Sequence, residues 1–181
     1  MSNADLLKTL TPRRHAVPLV SIIKSHPTWK KGAEVGVAQG RTSRVILKEC
    51  PQLTLIAVDP FRYVIDAESS GLYRDFDFAH CERCVRAVAA EFAPRMIIKK
   101  MTSEQAASSI PKGSLDFVFI DANHTYAEVK RDIVAWRPKV RRWGMVLGHD
   151  YSDRWPGVKR AVNEVFGKPI LFDSSIWGVV V

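Results

Sequence analysis

The feature that most constrains the fold is a regular alternation of short apolar runs with segments of helical period. Seven runs recur along the chain, at residues 33–37, 53–58, 95–98, 115–120, 145–148, 169–172 and 176–181. Several are apolar at nearly every position, which is typical of strands buried on both faces of a parallel sheet. The pattern therefore predicts a doubly wound α/β fold with helices on both faces of the sheet.

The segments between the runs carry apolar stripes at the spacings of an α-helix. The three clearest stripes join Phe78, Cys81, Val85, Val88 and Phe92; Val129, Ile133, Trp136 and Val140; and Val158, Ala161, Val162, Val165 and Phe166. We expect Pro138 to end the second helix and Gly167 to cap the third. Three residues separate the last two runs, too few for a crossover, so these strands should form an antiparallel hairpin.

Length and composition are those of one globular domain. The chain has 181 residues, of which 46% are hydrophobic and 25% charged, and this suits one domain with a real core. We expect that domain to span residues 1–181, with residues 1–28 as a helical lead-in. No apolar run approaches the roughly 20 residues that cross a bilayer, and three cysteines are too few for a disulfide framework. A cytoplasmic protein without a membrane partner is therefore expected.

The excess of basic residues says less about partners. Lys and Arg number 27 against 19 Asp and Glu, a formal charge of +8, but they are scattered as pairs such as Arg13 with Arg14. A basic surface can attract polyanions, yet most such pairs are solvated surface. Nucleic acid is therefore not the expected partner, and the sequence leaves the oligomeric state open, a homodimer included.

The first apolar run ends in a turn that contains glycines. Glu34, Gly36 and Gly40 are spaced differently from the G-x-G-x-x-G of dinucleotide enzymes. The two glycines let the backbone turn sharply and approach a ligand, and Thr42 or Ser43 is expected to cap the next helix. The carboxylate of Glu34 would repel a phosphate but suit a cationic ligand or one that donates hydrogen bonds. A tight strand-to-helix turn with a surface glutamate is the alternative.

Polar residues also follow the second and third runs. Asp59 lies about 20 positions past the turn, where a carboxylate commonly accepts from both hydroxyls of a ribose. A lone aspartate at a strand end is also a common turn residue, so its position relative to the turn is what carries this prediction. Thr102 and Ser103 follow the third run and are candidates for contact with an adenine edge.

The fourth and fifth runs end in the most informative residues. Asp121 and His124 follow the fourth run, and His149 and Asp150 follow the fifth. Ligands of doubly wound sheets bind outside the carboxyl ends of the strands, so these side chains should face one cleft. A helix cap or a satisfied histidine would explain any one of them. The four together predict a catalytic site.

The Glu-x-Gly-x-x-x-Gly turn, Asp59 and the segments IDANHTY and GHDY resemble class I S-adenosylmethionine-dependent methyltransferases. The likeness is to a small family with an I-D-x-x-H-x-Y segment, a G-H-D-Y segment and a P-G-V-x-x-A-V helix, which begins here at Pro156. The resemblance covers residues 30–167, approximately. It implies a mostly parallel seven-stranded sheet with an antiparallel terminal strand, and S-adenosyl-L-methionine as the cofactor.

The resemblance also implies roles for individual residues. The methionine portion of the cofactor would lie at the glycine turn, the ribose at Asp59 and the adenine at Thr102 and Ser103. The cofactor-binding set is Glu34, Gly36, Gly40, Thr42, Asp59, Thr102, Ser103 and Asp121. The catalytic set is Asp121, His124 and His149, over which a small-molecule or glycan acceptor would lie.

Some similar methyltransferases bind a divalent metal through an aspartate after the fourth strand and two adjacent carboxylates after the fifth. Here an imidazole replaces one of those carboxylates, and Asn123 stands where relatives often have an acidic residue. Asp121, His149 and Asp150 are still candidate ligands, and mixed nitrogen and oxygen ligation suits transition metals better than Mg²⁺. Cys81, on an apolar stripe and without a second cysteine pair, is expected to be a small buried residue rather than part of a zinc site.

These residues predict O-methylation of a small-molecule or sugar hydroxyl, with His149 or His124 as the base, because an unperturbed imidazole titrates near neutral pH. A nicotinamide-dependent oxidoreductase is the first alternative, against which the glycine spacing and Glu34 argue. The second is a binding module, or a nucleic-acid-associated methyltransferase that uses the basic surface. Residues 61–77, rich in aromatic and acidic side chains, are the expected lid or acceptor wall, with an ordinary connection as the alternative.

Overall fold

The computed structural model describes residues 2–62, 76–173 and 175–181, which include seven strands, seven α-helices and a 3₁₀ turn at Arg137–Lys139. The strands are β1 (Lys31–Val35), β2 (Thr54–Val58), β3 (Met96–Lys99), β4 (Leu115–Ile120), β5 (Val140–Gly148), β6 (Ile170–Leu171) and β7 (Trp177–Val180). The helices are α1 (Asn3–Thr9), α2 (Ala16–Lys24), α3 (Arg41–Glu49), α4 (Phe78–Glu91), α5 (Ser103–Ser108), α6 (Tyr126–Trp136) and α7 (Pro156–Phe166).

The strands form one sheet in the order β3-β2-β1-β4-β5-β7-β6. The first five strands in this order are parallel, and β7 runs antiparallel to both β5 and β6. The predicted terminal hairpin and the predicted fold class are therefore confirmed. Strand order reverses between β1 and β4, which makes the ends of these two strands the switch point where ligands of such sheets bind.

Helices cover both faces of the sheet because its central strands are apolar on both. All six residues of β4 are buried. Phe117 and Phe119 pack with α1, α2, α3 and α4, whereas Val118 and Ile120 face α5, α6 and α7. The predicted stripe of α4 is confirmed, with Cys81 among its buried residues. These two apolar layers fix the strand ends that carry the polar residues.

Two local predictions are wrong, and a third boundary shifts. Helix α3 is capped by Gly40, in a left-handed conformation with φ +73°, whereas Thr42 and Ser43 lie inside its first turn. Val140 begins β5 instead of extending α6, since Pro138 cannot continue a helix. Strand β1 ends before Gly36, whose φ of +87° takes the backbone out of the extended region.

The expected lid or acceptor wall falls largely on residues 63–75, which lie outside the described part of the chain. Among the described residues, no helix is long and apolar enough to cross a membrane.

Candidate active site

The glycine turn lies at the switch point and presses against the chain that leaves β4. A Cβ on Gly36 would lie 2.2 Å from the backbone oxygen of Asp121, so a larger residue would displace that chain. Backbone hydrogen bonds join Gly36 N to Val58 O and Asp121 N to Val35 O, both at 2.9 Å. The turn therefore fixes where Asp121 lies relative to the ends of β1 and β2.

Asp59 ties the end of β2 to the same turn. Its Oδ2 accepts from the N–H of Ala38 at 2.9 Å, and its Oδ1 accepts from the N–H of Phe61 at 2.8 Å. Burial raises the pKa of Asp59, against the lowering effect of its backbone hydrogen bonds. A carboxylate has about four acceptor positions, so Asp59 can accept further hydrogen bonds from a ligand.

Glu34 lies in β1 and is only 2% exposed, although it lines the cavity described below. The hydroxyl of Ser43 donates a hydrogen bond to Glu34 Oε2. Burial is the main cause that raises the pKa of Glu34 to about 8, and the charges of Asp121 and Asp59 raise it further against the opposing hydrogen bond from Ser43. The alternative of a surface glutamate is therefore wrong, and the group is a buried acid.

Three imidazoles and two carboxylates meet beyond the ends of β4 and β5. Asp121 Oδ1 lies 3.5 Å from His149 Nδ1, and Asp121 Oδ2 lies 3.6 Å from His15 Nε2. Asp150 Oδ2 lies 2.6 Å from His124 Nε2 and 3.2 Å from His149 Nδ1. We call these five residues the histidine cluster. The structure thus brings together the four polar residues that the sequence placed at two strand ends, and it adds His15.

Burial and charge oppose each other inside the histidine cluster. Burial by itself would lower the pKa of His149, but hydrogen bonds and negative charge from Asp121 and Asp150 raise it to about 10. Burial lowers the pKa of His15, and the neighbouring His149 adds to this effect although Asp121 opposes it. For Asp150, hydrogen bonds from His124 and His149 outweigh burial and hold its pKa well below the ordinary value.

Contacts from outside hold the rings of the cluster in place. Ser175 Oγ lies 3.1 Å from His149 Nε2, and Thr42 Oγ1 lies 2.9 Å from His15 Nε2. The ring of His124 stacks on Trp155 with 4.1 Å between centroids. Asp150 has φ +60°, a conformation that costs energy for a residue with a Cβ and is commonly found at functional sites.

One cavity of about 530 Å³ joins the glycine turn to the histidine cluster, a size within the range of small-molecule sites. The predicted site residues that line it are Glu34, Gly36, Thr42, Asp59, Thr102, Ser103, Asp121, His124, His149 and Asp150. Gly40 is not among the lining residues. It caps α3 beside α4, where a Cβ would lie 3.3 Å from Val85.

Among the residues of the cavity wall that sequence reasoning missed, two bear on the chemistry of the site. His15 precedes α2, more than 100 positions from its cluster partner Asp121, and no local pattern marks it. Asp132 lies on α6 and is 5% exposed. It stands three residues after Val129 and four before Trp136, so an acid on an apolar stripe was a signal that could have found it.

Two sets of described residues bring three ligand atoms within 4.8 Å of one another: His15, Asp121 and His149, and Asp121, His124 and Asp150. The predicted metal ligands Asp121, His149 and Asp150 are divided between these sets. Bonds of about 2.0–2.1 Å to a tetrahedral Zn²⁺ place ligand atoms about 3.3–3.4 Å apart. In the first set, His149 Nδ1 lies 3.5 Å from Asp121 Oδ1, and His15 Nε2 lies 3.6 Å from the other oxygen, Asp121 Oδ2. The 2.6 Å between His124 and Asp150 is a hydrogen-bond distance, so the first set fits a metal better.

Comparison with known proteins agrees with this geometry. A family model described as a methyltransferase domain matches residues 33–151, and comparison with curated proteins finds no match. A putative caffeoyl-CoA O-methyltransferase from Staphylococcus aureus has a TM-score of 0.68 at 12% identity, over 99% of this chain and 92% of that one. A putative O-methyltransferase from Klebsiella pneumoniae has a TM-score of 0.63 at 15% identity, over 95% and 82%.

A third similar structure is a TDP-rhamnose 3'-O-methyltransferase of calicheamicin biosynthesis, with a TM-score of 0.61 at 16% identity, over 99% of this chain and 86% of that one. At such identities the structures show a shared fold, and the family model covers more than half of this chain. The chain therefore belongs to the S-adenosylmethionine-dependent methyltransferase domains, the family that the sequence resemblance predicted.

Proposed function

We propose that this methyltransferase transfers the methyl group of S-adenosyl-L-methionine to a hydroxyl of a small molecule or sugar. The observation that carries the proposal is that the glycine turn, Asp59 and the histidine cluster line one cavity. A donor bound at the turn would face an acceptor bound at the cluster, which is the alignment that methyl transfer requires. The names of the three similar O-methyltransferases favour oxygen as the acceptor atom.

In this proposal the cofactor extends along the strand ends. Its methionine portion lies at the glycine turn, where the carboxylate of Asp121 favours its positive charge and the buried acid Glu34 lines the same cavity. Its ribose hydroxyls donate hydrogen bonds to the acceptor positions of Asp59 that the N–H groups of Ala38 and Phe61 do not use. Its adenine lies against Thr102 and Ser103, which line the same cavity.

The acceptor hydroxyl lies at the histidine cluster, and an imidazole takes its proton. His124 has the support that a general base needs, since Asp150 Oδ2 lies 2.6 Å from its Nε2 and Trp155 stacks on its ring. A carboxylate in this place fixes the tautomer and orientation of an imidazole, as in hydrolase triads. His149 was the other base that the sequence suggested, but Asp121 and Asp150 outweigh burial and raise its pKa to about 10. This imidazole therefore holds a proton near neutral pH, and we assign it, with Asp121, to the binding of the acceptor.

A methyl-transfer screen with labelled cofactor tests the proposal over sugar nucleotides, glycans and phenols. We expect label to enter one hydroxyl-bearing class, and calorimetry to show binding of S-adenosylhomocysteine. Binding of NAD without S-adenosylhomocysteine would overturn the proposal in favour of an oxidoreductase. Salt-sensitive binding of nucleic acid that depends on the basic surface would favour the other alternative.

The same assay tests whether His124 and His149 both take part in the reaction. His124→Ala and His149→Ala should each leave S-adenosylhomocysteine binding nearly intact and lower turnover at least roughly tenfold. His26→Ala is the matched control, because His26 stacks on Trp29 and does not line the cavity. Unchanged turnover in either cluster variant would remove that histidine from the mechanism.

We also propose that His15, Asp121 and His149 can hold a divalent transition metal. A bound metal would polarise the acceptor hydroxyl and ease loss of its proton. Titration of the metal-free protein with Co²⁺ should give the visible absorption of a tetrahedral site, and His15→Ala should abolish it while S-adenosylhomocysteine still binds. Absence of Co²⁺ and Zn²⁺ uptake by the unaltered protein would overturn this part of the proposal.

A further inference from the structure

Two arginines in the cavity wall have no part in the proposed reaction. Arg13 precedes α2 and Arg154 precedes α7, and both are exposed residues that line the cavity. Arg14 and Arg160 are exposed as well, but they do not line it. Solvated arginines are common on protein surfaces, so it is the place of the first two in a cavity wall that needs an explanation.

The two guanidinium groups lie beside different members of the histidine cluster. Burial is the main cause that lowers the pKa of His15, and the positive charge of nearby Arg13 adds to it. Arg154 Cζ lies 5.5 Å from the centroid of the Trp155 ring, and that ring stacks on His124 with 4.1 Å between centroids. Arg13 is therefore next to one imidazole of the cluster, and Arg154 is one ring away from another.

The carboxylates at this end of the cavity already have partners. Asp121 and Asp150 each lie near two imidazoles of the histidine cluster. Asp153 stands next to Arg154 in the chain, but its Oδ1 lies 2.6 Å from Lys159 Nζ. Within the part of the chain that the structure describes, no carboxylate forms an ion pair with either of the two arginines. Their charge is thus available to a ligand.

The other arginines that line the cavity do not share this position. Arg41 and Arg62 follow β1 and β2, whose ends hold the cofactor in the proposed function. Arg131 lies 3.2 Å from Glu104 and also pairs with Glu128. The positive charge without a carboxylate partner beside the proposed acceptor site therefore comes from the two arginines that flank the cluster.

The chemistry of a guanidinium group indicates what kind of ligand it serves. Its five N–H donors form a planar fork that matches the oxygens of a phosphate or a carboxylate. Hydrogen bonds between such charged groups are about twice as strong as those between neutral groups. Trp155 beside Arg154 supplies a ring on which the fork can rest. An anion complements this pair of side chains.

We propose that the methyl acceptor carries an anionic group, a phosphate or a carboxylate, which Arg13 and Arg154 bind while the reacting hydroxyl lies at the histidine cluster. This rests on the proposed function, because it requires the acceptor to bind at the cluster. Sugar nucleotides and other acidic molecules are then better acceptors than neutral glycans and simple phenols.

Calorimetry on protein saturated with S-adenosylhomocysteine tests the anion site, since the cofactor site is then filled. The probes are inorganic pyrophosphate and malonate, which distinguish a phosphate site from a carboxylate site. We expect one of them to bind, and Arg13→Gln and Arg154→Gln each to weaken that binding at least roughly tenfold, as loss of a charge-assisted hydrogen bond requires.

The chain offers a matched control for each variant. Arg14→Gln makes the same change one residue away from Arg13, outside the cavity wall. Arg160→Gln removes a guanidinium that lies over the ring of Tyr126 at 4.1 Å, as Arg154 lies over a ring, but again outside the wall. Both controls should bind the anion as the unaltered protein does.

Kinetics with the best acceptor of the methyl-transfer screen give a second readout. Arg13 and Arg154 hold a part of the acceptor that does not react. Replacement of either by Gln should therefore raise KM at least roughly tenfold and change kcat by less than about twofold. A merely structural role would lower kcat and the melting temperature together.

The outcomes separate this inference from the proposed function. Failure of the unaltered protein to bind S-adenosylhomocysteine would overturn both. Binding of S-adenosylhomocysteine without binding of either anion would overturn the inference alone. The same would follow if the control variants lost as much anion affinity as the Arg13 and Arg154 variants, or if the best acceptor were a neutral molecule whose KM neither variant changes.

Discussion

The two ends of β4 each carry an aspartate, and the two are built in opposite ways. At the amino end, Asp116 accepts from the N–H groups of Lys30 and Lys31 at 2.6 and 2.8 Å, and from Arg141 Nε at 2.7 Å. At the carboxyl end, Asp121 faces the imidazoles of His15 and His149 at 3.6 and 3.5 Å. The acceptor positions of Asp116 are taken by donors of the protein, whereas Asp121 lines the cavity.

The pKa shifts of the acidic groups at the two ends of the strands differ in the same way. Burial would raise the pKa of Asp116, but its backbone and Arg141 hydrogen bonds outweigh burial and lower it. Glu34, beside the carboxyl ends, has its pKa raised to about 8 because burial prevails. The carboxylate at the amino end of β4 therefore stabilises the fold. The acidic groups at the carboxyl ends of the strands have fewer donors from the protein and can bind a ligand that supplies positive charge or hydrogen-bond donors.

Replacement of Asp121 should give the largest effect on activity. Asp121→Asn keeps the shape of the side chain but removes the charge between His15 and His149, so we expect methyl transfer to fall at least roughly 100-fold. The free energy of unfolding should fall by less than in the Asp116→Asn variant described below, because Asp150 still pairs with His149 when the charge of Asp121 is removed. Steady-state turnover and chemical denaturation measure the two quantities. A large loss of stability would contradict the contrast drawn above.

An aspartate-to-asparagine replacement at the amino end of β4 should lower stability and leave activity unchanged. Asp116→Asn leaves Arg141 without its charged partner, so we expect the free energy of unfolding to fall by about 2–3 kcal/mol. Turnover measured well below the melting temperature should be unchanged. Urea denaturation followed by circular dichroism, with Asp153→Asn at an exposed ion pair as control, checks this expectation. Equal losses in both variants would show that Asp116 has no special role.

The stability of the protein as a function of pH tests whether Glu34, near the carboxyl ends of the strands, is a buried acid without enough donors. The folded pKa of about 8 exceeds the ordinary value of 4.5, so the folded state binds more protons between these values. The stability that this group contributes is therefore fully present below pH 4.5 and lost as pH rises to about 8. Glu34→Gln does not titrate, so its unfolding free energy relative to that of the unaltered protein should rise across that window, by at most about 5 kcal/mol for a shift of this size. Melting temperatures from pH 5 to 9 test this, and a constant difference would contradict it.

The smallest expected effect is at the edge of the cluster. Ser175→Ala removes the hydroxyl 3.1 Å from His149 Nε2, a single hydrogen bond worth about 1 kcal/mol. Turnover should fall about two- to fivefold, with S-adenosylhomocysteine affinity unchanged. Ser109→Ala, whose hydroxyl bonds only its own helix end, serves as the control in the same assay.

Residues at the ends of strands could be predicted from the sequence because two local rules place them. Hydrophobic period identified β2, β4 and β5, and the parallel topology brings their ends to one edge of the sheet. Asp59, Asp121 and His149 were found in this way, and all three line the cavity. The sequence also predicted the terminal hairpin, because chain length alone excludes a crossover between β6 and β7.

What could not be predicted depends on contacts between distant parts of the chain. Nothing near His15 indicates that its ring lies 4.1 Å from that of His149. Thr42 and Ser43 look like cap residues, but their hydroxyls serve His15 and Glu34 instead, and Gly40 can take the cap position because its φ is positive. Local propensity was overridden in these places by tertiary hydrogen bonds.

His149 depends on contacts with residues that lie outside the segment matched by the family model. Its ring contacts His15 and Ser175, and both lie outside the shared family segment of residues 33–151. A fragment cut at those limits would keep the glycine turn and the IDANHTY and GHDY segments, and yet lose two residues that contact His149. A substitution at residue 15 or 175 would therefore change the surroundings of His149 without changing any residue of the segment that the family model matches.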